Sequence, residues 1–153
     1  MGAEMVISDK IKKLVKIGIN KILNDSLKEL VDFIVDLNKE QLYVRGDIDV
    51  NYPGLKEHYA ESTIKQKRKK ATYKKTDFVT LRWEGDFYSG FELELRDKDF
   101  IIRTSDPKRK FLLEESKNFG NRFVNALGLT EESKEELRDK IKPVIIQKIR
   151  NEL

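Results

Sequence analysis

Residues 91–104, FELELRDKDFIIRT, limit what this chain can fold into more tightly than any other stretch. Phe91, Leu93 and Leu95 alternate with Glu92, Glu94 and Arg96, and after the polar turn RDKD the residues Phe100, Ile102 and Thr104 repeat the alternation. A period of two gives a strand one apolar and one charged face. Pairing Leu95 with Phe100 sets Leu93 opposite Ile102 and Phe91 opposite Thr104, so all three pairs share one face. A β-hairpin is the expectation.

Two further strands are predicted beside it. In QLYVRGDIDV, Leu42, Val44, Ile48 and Val50 alternate with Tyr43, Arg45, Asp47 and Asp49, with Gly46 as a bulge or close approach. DFVTLRW, just before the hairpin, supplies a third strand of a meander. The RGD at Arg45–Asp47 sits inside a strand on this reading, the wrong place for a loop-displayed ligand. YPGL after it is a turn.

Helices flank the sheet. From Ser8, a predicted N-cap followed by Asp9, to about Lys39 the residues Ile11, Leu14, Gly18 and Ile22, then Leu27, Leu30, Ile34 and Leu37, follow helical spacing. Asn24–Ser26 is the natural place to cap one helix and begin another, and the spacing fits one helix or two. Val15, Ile17, Ile19, Phe33 and Val35 fall off the main stripe, so this arm needs a second partner surface. A helix starting near Leu55 runs into the basic segment Lys65–Lys75, whose crowded charges predict a mobile, solvated end. KFLLEESKNFGNRFVNALG reads as a short helix and a turn. Thr130 caps a last helix with the stripe Leu137, Ile141, Ile145 and Ile149, where Pro143 predicts a kink or two short helices. The fold class is α+β: a small antiparallel sheet with a long hairpin, packed against N-terminal and C-terminal helices. At 153 residues the chain is one domain, with an arm over 1–40, sheet, helix and basic loop over 41–105, and C-terminal helices over 106–153.

Composition narrows the chemistry. With no cysteine, disulfides, thiolate catalysis and cysteine-ligated metals are excluded. The opening MGAEMVISDKIKKLVK mixes charge into its apolar residues, so it is neither a signal peptide nor a membrane span, and it lacks the Ser or Thr of a myristoylation signal. The expectation is a soluble protein made in the cytoplasm, with no membrane partner. His58 is the only histidine and no phosphate-cradling glycine loop occurs, so no catalytic, metal or cofactor residue is assigned and no enzyme is expected. Glu84 and Asp86 form a conceivable Mg²⁺ or acid–base pair, but two acids around Gly85 more often close a tight turn.

Two candidate surfaces remain. LRWEGDFYSGF reads as a corner leading into the hairpin: Gly85 supplies backbone freedom, Asp86 caps the turn, and Trp83, Phe87 and Phe91 anchor the sheet to the helices. Trp83 or Tyr88 is alternatively an interface anchor. Lys65, Lys67, Arg68, Lys69, Lys70, Lys74 and Lys75 are candidate contacts to DNA or to an acidic partner.

Taken in order, the landmarks LYVRGDID, HYAESTIKQK, VTLRWEGDFYSGFELEL, FIIRTSDPKRKFLLEES and FGNRFVNALGLTEESKEELRDKIKPVI resemble a family of small structural proteins of tailed bacteriophages, particularly those of gut Bacteroides, including crAss-like phages. Tyr43 and Gly46 match its strand motif, and Tyr59, Thr63 and Lys67 its helix motif. Val79, Thr80, Leu81, Gly85, Asp86, Phe87, Tyr88 and Phe91 match its turn into a hairpin, and Phe119, Gly120, Leu127 and Leu129 its last segment. Glu84 and the Ser89–Gly90 order depart from the pattern, which covers roughly residues 40–145. The resemblance implies a virion component, a ring or adaptor subunit of the neck or tail that joins portal to tail. Its partners would be other copies of itself, portal, neck or tail proteins, and packaged DNA. The alternative is a nucleic-acid-binding accessory protein using Lys65–Lys75.

Overall fold

The computed structural model describes residues 9–13, 15, 16, 18–97, 99–109, 113 and 123–152. The predicted cap at Ser8, most of the short helix expected in KFLLEESKNFGNRFVNALG and the Phe119–Gly120 motif lie outside the described residues. Among those described, helices and a two-stranded antiparallel sheet make an α+β fold.

Residues 9–13 are helical, and after Gly18 the helix α1 runs Ile19–Glu29 and α2 runs Val31–Glu40. The arm is therefore more than one helix, but the break does not fall at Asn24–Ser26. Those residues lie inside α1, where the buried Ser26 hydroxyl donates to the Ile22 carbonyl at 2.7 Å, a bond that lets a serine stay within a helix. The chain turns instead at Leu30, whose φ of −109° and ψ of 16° leave helical geometry.

The strand expected over residues 42–50 does not form. Helix α2 passes directly into a π-helical turn, Gln41–Arg45, closed by Gly46 in the left-handed region with φ 72°. The reason lies across the molecule. Asn38 and Gln41, three apart on one helix face, grip a distant loop: Asn38 donates to the Ala126 carbonyl at 3.0 Å and accepts from the Gly128 N–H at 2.9 Å. Gln41 donates to the Gly128 carbonyl at 3.0 Å and accepts from the Thr130 N–H at 2.9 Å. Four buried or part-buried bonds outweigh a local strand preference. Val44 is left 59% exposed, against the alternation that paired it with Leu42. The RGD is a joint between elements: Arg45 meets Glu40, Glu132 and Glu136 at 3.5, 3.1 and 2.7 Å, and the Asp47 carboxylate accepts from the Gly54 N–H.

Helix α3, Glu61–Lys70, begins later than Leu55 and continues well into the basic run. Then follow one short turn, α4 (Asp86–Ser89), and the strands β1 (Phe91–Leu95) and β2 (Phe100–Thr104). Their register is the one the alternation requires, Phe91 with Thr104, Leu93 with Ile102, Leu95 with Phe100. Among the described residues no third strand joins them. Over 77–83 the residues Phe78, Val79 and Thr80 are buried consecutively, and Leu81 has φ 57°, which breaks an extended run. The Thr80 backbone groups are taken by side chains, its carbonyl by the Tyr88 hydroxyl and its N–H by the Tyr59 oxygen. A ladder has nothing left to pair with there.

Helix α5, Glu131–Glu152, starts at Thr130, whose Oγ1 accepts from the Ser133 N–H, and runs unbroken through Pro143 rather than splitting into two short helices. Proline frees the Asp139 carbonyl, and both residues sit on the exposed side, where water can satisfy it. Leu137 and Ile141 are buried beside Leu27, Leu30, Ile34, Ile102 and Leu129 in one core cluster. A second cluster gathers Val35, Leu42, Ile48, Val79, Phe87, Tyr88, Phe91, Phe123 and Ala126. Leu93 and Leu127 pack against both, so the inner face of the hairpin joins them.

Candidate functional site: a cation–aromatic cluster around Lys67

The described residues place the two sequence-predicted sites, corner and basic run, against each other. Between α3 and α4 the chain has no regular secondary structure, and one side chain organises it. Lys67 is fully buried. Its Nζ donates to the Lys75 carbonyl at 2.7 Å, the Tyr59 hydroxyl at 3.1 Å and the Thr80 hydroxyl at 3.2 Å. Three acceptors match the three protons of an ammonium, which is what allows a lysine to be buried with no carboxylate among its bonded partners. The expected mobile, solvated end to the basic run is therefore corrected for Lys67. It is a pin that fixes α3 to residues 75–80.

A second cation lies alongside. The Arg82 guanidinium stacks 3.7 Å from the Tyr73 ring centroid, with Tyr88 at 4.8 Å and Tyr43 at 4.9 Å. Tyr43 and Tyr73 meet edge to face at 6.1 Å. Lys75 lies 4.5 Å from the Phe78 ring and 5.3 Å from Tyr43. Aromatic faces thus surround both cations, each contact contributing about 0.5–2 kcal/mol. Sequence reasoning assigned no role to Arg82, Tyr73 or Phe78. The available signal was a cation embedded in the apolar run of VTLRW, which solvation alone does not explain.

The corner residues divide. Gly85 has φ 98°, and a Cβ there would lie 2.9 Å from the Tyr73 ring, so it is the corner glycine expected. Phe87, Tyr88 and Phe91 are core, with ring centroids 5.2 Å apart for Phe87–Phe91 and 5.3 Å for Tyr88–Phe91. Tyr88 is 2% exposed, which removes it as an interface anchor. Trp83 is half-buried, outside both core clusters, and contributes its carbonyl to the Tyr73 N–H at 2.9 Å. Asp86 does not cap the turn with its side chain; its carboxylate lies 3.8 Å from Lys108. Glu84 accepts from the Thr72 hydroxyl at 2.6 Å, so the two acids are engaged with different partners. Among the described residues no group of three or more His, Asp or Glu side chains stands together as a metal site, and no helix is long and apolar enough to cross a membrane.

Burial raises the Tyr88 phenol well above the ordinary tyrosine range, with Arg82 pulling it back and Tyr59 and Tyr43 adding to the rise. The folded chain therefore keeps a proton that the unfolded chain releases above about pH 10. This contribution to stability is complete below that pH and is lost above it, at roughly 1.4 kcal/mol per pH unit. Urea midpoints measured across this alkaline range should fall more steeply for the native chain than for Tyr88→Phe. Parallel curves would remove Tyr88 as the source.

Comparison with protein-family models, with curated proteins and with solved structures finds no match to this chain.

Proposed function

We propose that this chain is a structural subunit of a tailed-phage virion, a ring or adaptor component of the neck or tail that joins portal to tail. One observation carries the reading. Several of the positions on which the chain resembles those phage proteins meet in space: Tyr59, Lys67, Thr80 and Tyr88 form one hydrogen-bonded unit. Tyr43 and Gly85 border it through Tyr73, and Gly46 lies under Phe78. Phe87 and Phe91 pack with Tyr88 in the same core cluster. A resemblance in loose motifs gains weight when its residues meet in space and share the task of holding a scaffold.

The surface supports assembly by geometry. Ile11, Val15 and Ile19 are 56%, 75% and 68% exposed, leaving large apolar side chains uncovered toward the N-terminal end. Ile146 presents a separate apolar position on the far half of α5. A ring needs heterologous contacts, one face of a subunit against a different face of the next, and these are two such faces.

The test is quantitative peptide mass spectrometry on gradient-purified phage particles, scaled to the major capsid protein. A virion subunit is expected in the particle fraction at a small fixed copy number. Recovery only from the soluble lysate would remove the reading.

A further inference from the structure

The segment Lys65–Lys75 contains seven basic residues and no acid. Removing those charges from the net +4 leaves the rest of the chain at −3, so the positive character of this protein is concentrated in eleven residues. The fold then sorts them. Lys67 is buried and Lys75 is half-buried among aromatic rings. Lys65, Arg68, Lys69, Lys70 and Lys74 are exposed.

Helix geometry arranges what remains. With about 100° per residue, Lys65 and Lys69 point almost directly away from the pinned Lys67, and Arg68 lies about a quarter-turn to one side. Lys74 folds back over the helix end, its Nζ donating to the Arg68 carbonyl at 2.8 Å. The acids at the margins are Glu61, 3.6 Å from Lys65, and Glu84, held by Thr72. No large apolar side chain is exposed between Glu61 and Lys75.

We propose that this face of α3, with the turn to Lys74, binds the phosphate backbone of duplex DNA without reading its sequence. The absence of an exposed apolar centre decides among polyanions. A protein partner is held by desolvated aromatic or aliphatic anchors within a polar rim, and a membrane surface by apolar side chains that insert below the headgroups. Phosphate contact needs neither. It draws its affinity from releasing counterions condensed on the duplex, which long cationic side chains on a fixed helix accomplish. The burial of Lys67 supplies the rigid mount. The inference stands on charge and geometry at α3, and goes beyond the virion reading without depending on it.

The experiment is fluorescence anisotropy with a short labelled duplex, in two unrelated sequences, titrated with the intact chain between about 50 and 200 mM salt. With roughly four phosphates engaged, affinity should fall about 100-fold across that range, equally for both sequences. Replacing Lys65, Arg68 and Lys69 together by glutamine, all at exposed positions, should reduce that dependence to about 3-fold. The charge-matched control, Lys10, Lys12 and Lys13 replaced by glutamine on the exposed N-terminal helix, should leave the dependence unchanged. Circular dichroism confirms that both variants are folded. No binding at the lowest salt, or a salt dependence that the α3 variant shares with the native chain, overturns the proposal. Displacement of the duplex by poly-glutamate at equal charge concentration also overturns it, in favour of an acidic protein partner.

Discussion

Replacing Lys67 by alanine is expected to destabilise the chain by about 3–4 kcal/mol, a large share of the stability of a domain this size. Two effects add. The buried four-carbon stem leaves a cavity, and the acceptors it served lose their donor. The second effect can be isolated with Lys67→Met, which keeps most of the stem and removes the ammonium. Tyr59 and Thr80 carry hydroxyls 3.4 Å apart that can reorient toward each other. The Lys75 carbonyl loses its 2.7 Å donor and has no such recourse within the network. Methionine should therefore cost about 1–2 kcal/mol, less than alanine. Urea denaturation of the three chains gives the order. A methionine variant more stable than the native chain would mean that desolvating the ammonium costs more than its three bonds return. The network would then be a specificity device, not a source of stability. Neutralising Lys67 is also the wrong way to test DNA binding, because it changes the mount and not the presented surface.

Gly46→Ala should cost about 2–4 kcal/mol, part backbone conformation and part packing. Gly46 has φ 72° and ψ 24°, the left-handed region, where alanine bears a penalty of roughly 1–2 kcal/mol. A Cβ there would also lie 2.8 Å from the Phe78 ring. Phe78 is buried and cannot swing clear without disturbing Lys56 and Lys75, which lie 5.1 and 4.5 Å from its ring centroid. The excess cost at position 46 is thus a packing term. A loss in urea denaturation no larger than the backbone penalty of about 1–2 kcal/mol would show that the ring relaxes and that φ alone matters.

These two positions also mark where sequence reasoning reached and where it stopped. Gly46 was legible as a break in a pattern, but as a bulge in a strand, because Leu42, Val44 and Ile48 alternate and alternation is a local signal. What overrode it was the grip of Asn38 and Gln41 on residues 126–130, some ninety positions away along the chain. Lys67 was legible as a charge in a basic run, and nothing within that run distinguishes it from Arg68 or Lys69. The resemblance marks its position with Tyr59 and Thr63, and the convergence of Tyr59, Thr80 and the Lys75 carbonyl supplies the physical reason.

The hairpin lies at the other extreme. Its register follows from sequence alone, since a slip of one residue would turn either Phe91 and Leu93 or Ile102 to water, and no distant contact can compensate for that. The Thr130 cap and the α5 stripe through Leu137 and Ile141 are local in the same sense, as is the positive φ at Gly85. By itself, then, the sequence determined the elements whose hydrogen bonds close within the element or with its immediate neighbour. The tertiary structure decided the rest: the π-helical end of α2, the irregular chain over 71–85, the burial of Lys67 and Tyr88, and which cations of the basic run face solvent. In each of these the backbone or a charge is satisfied by a partner distant in sequence, and a bond of that kind leaves no periodicity for the sequence to display.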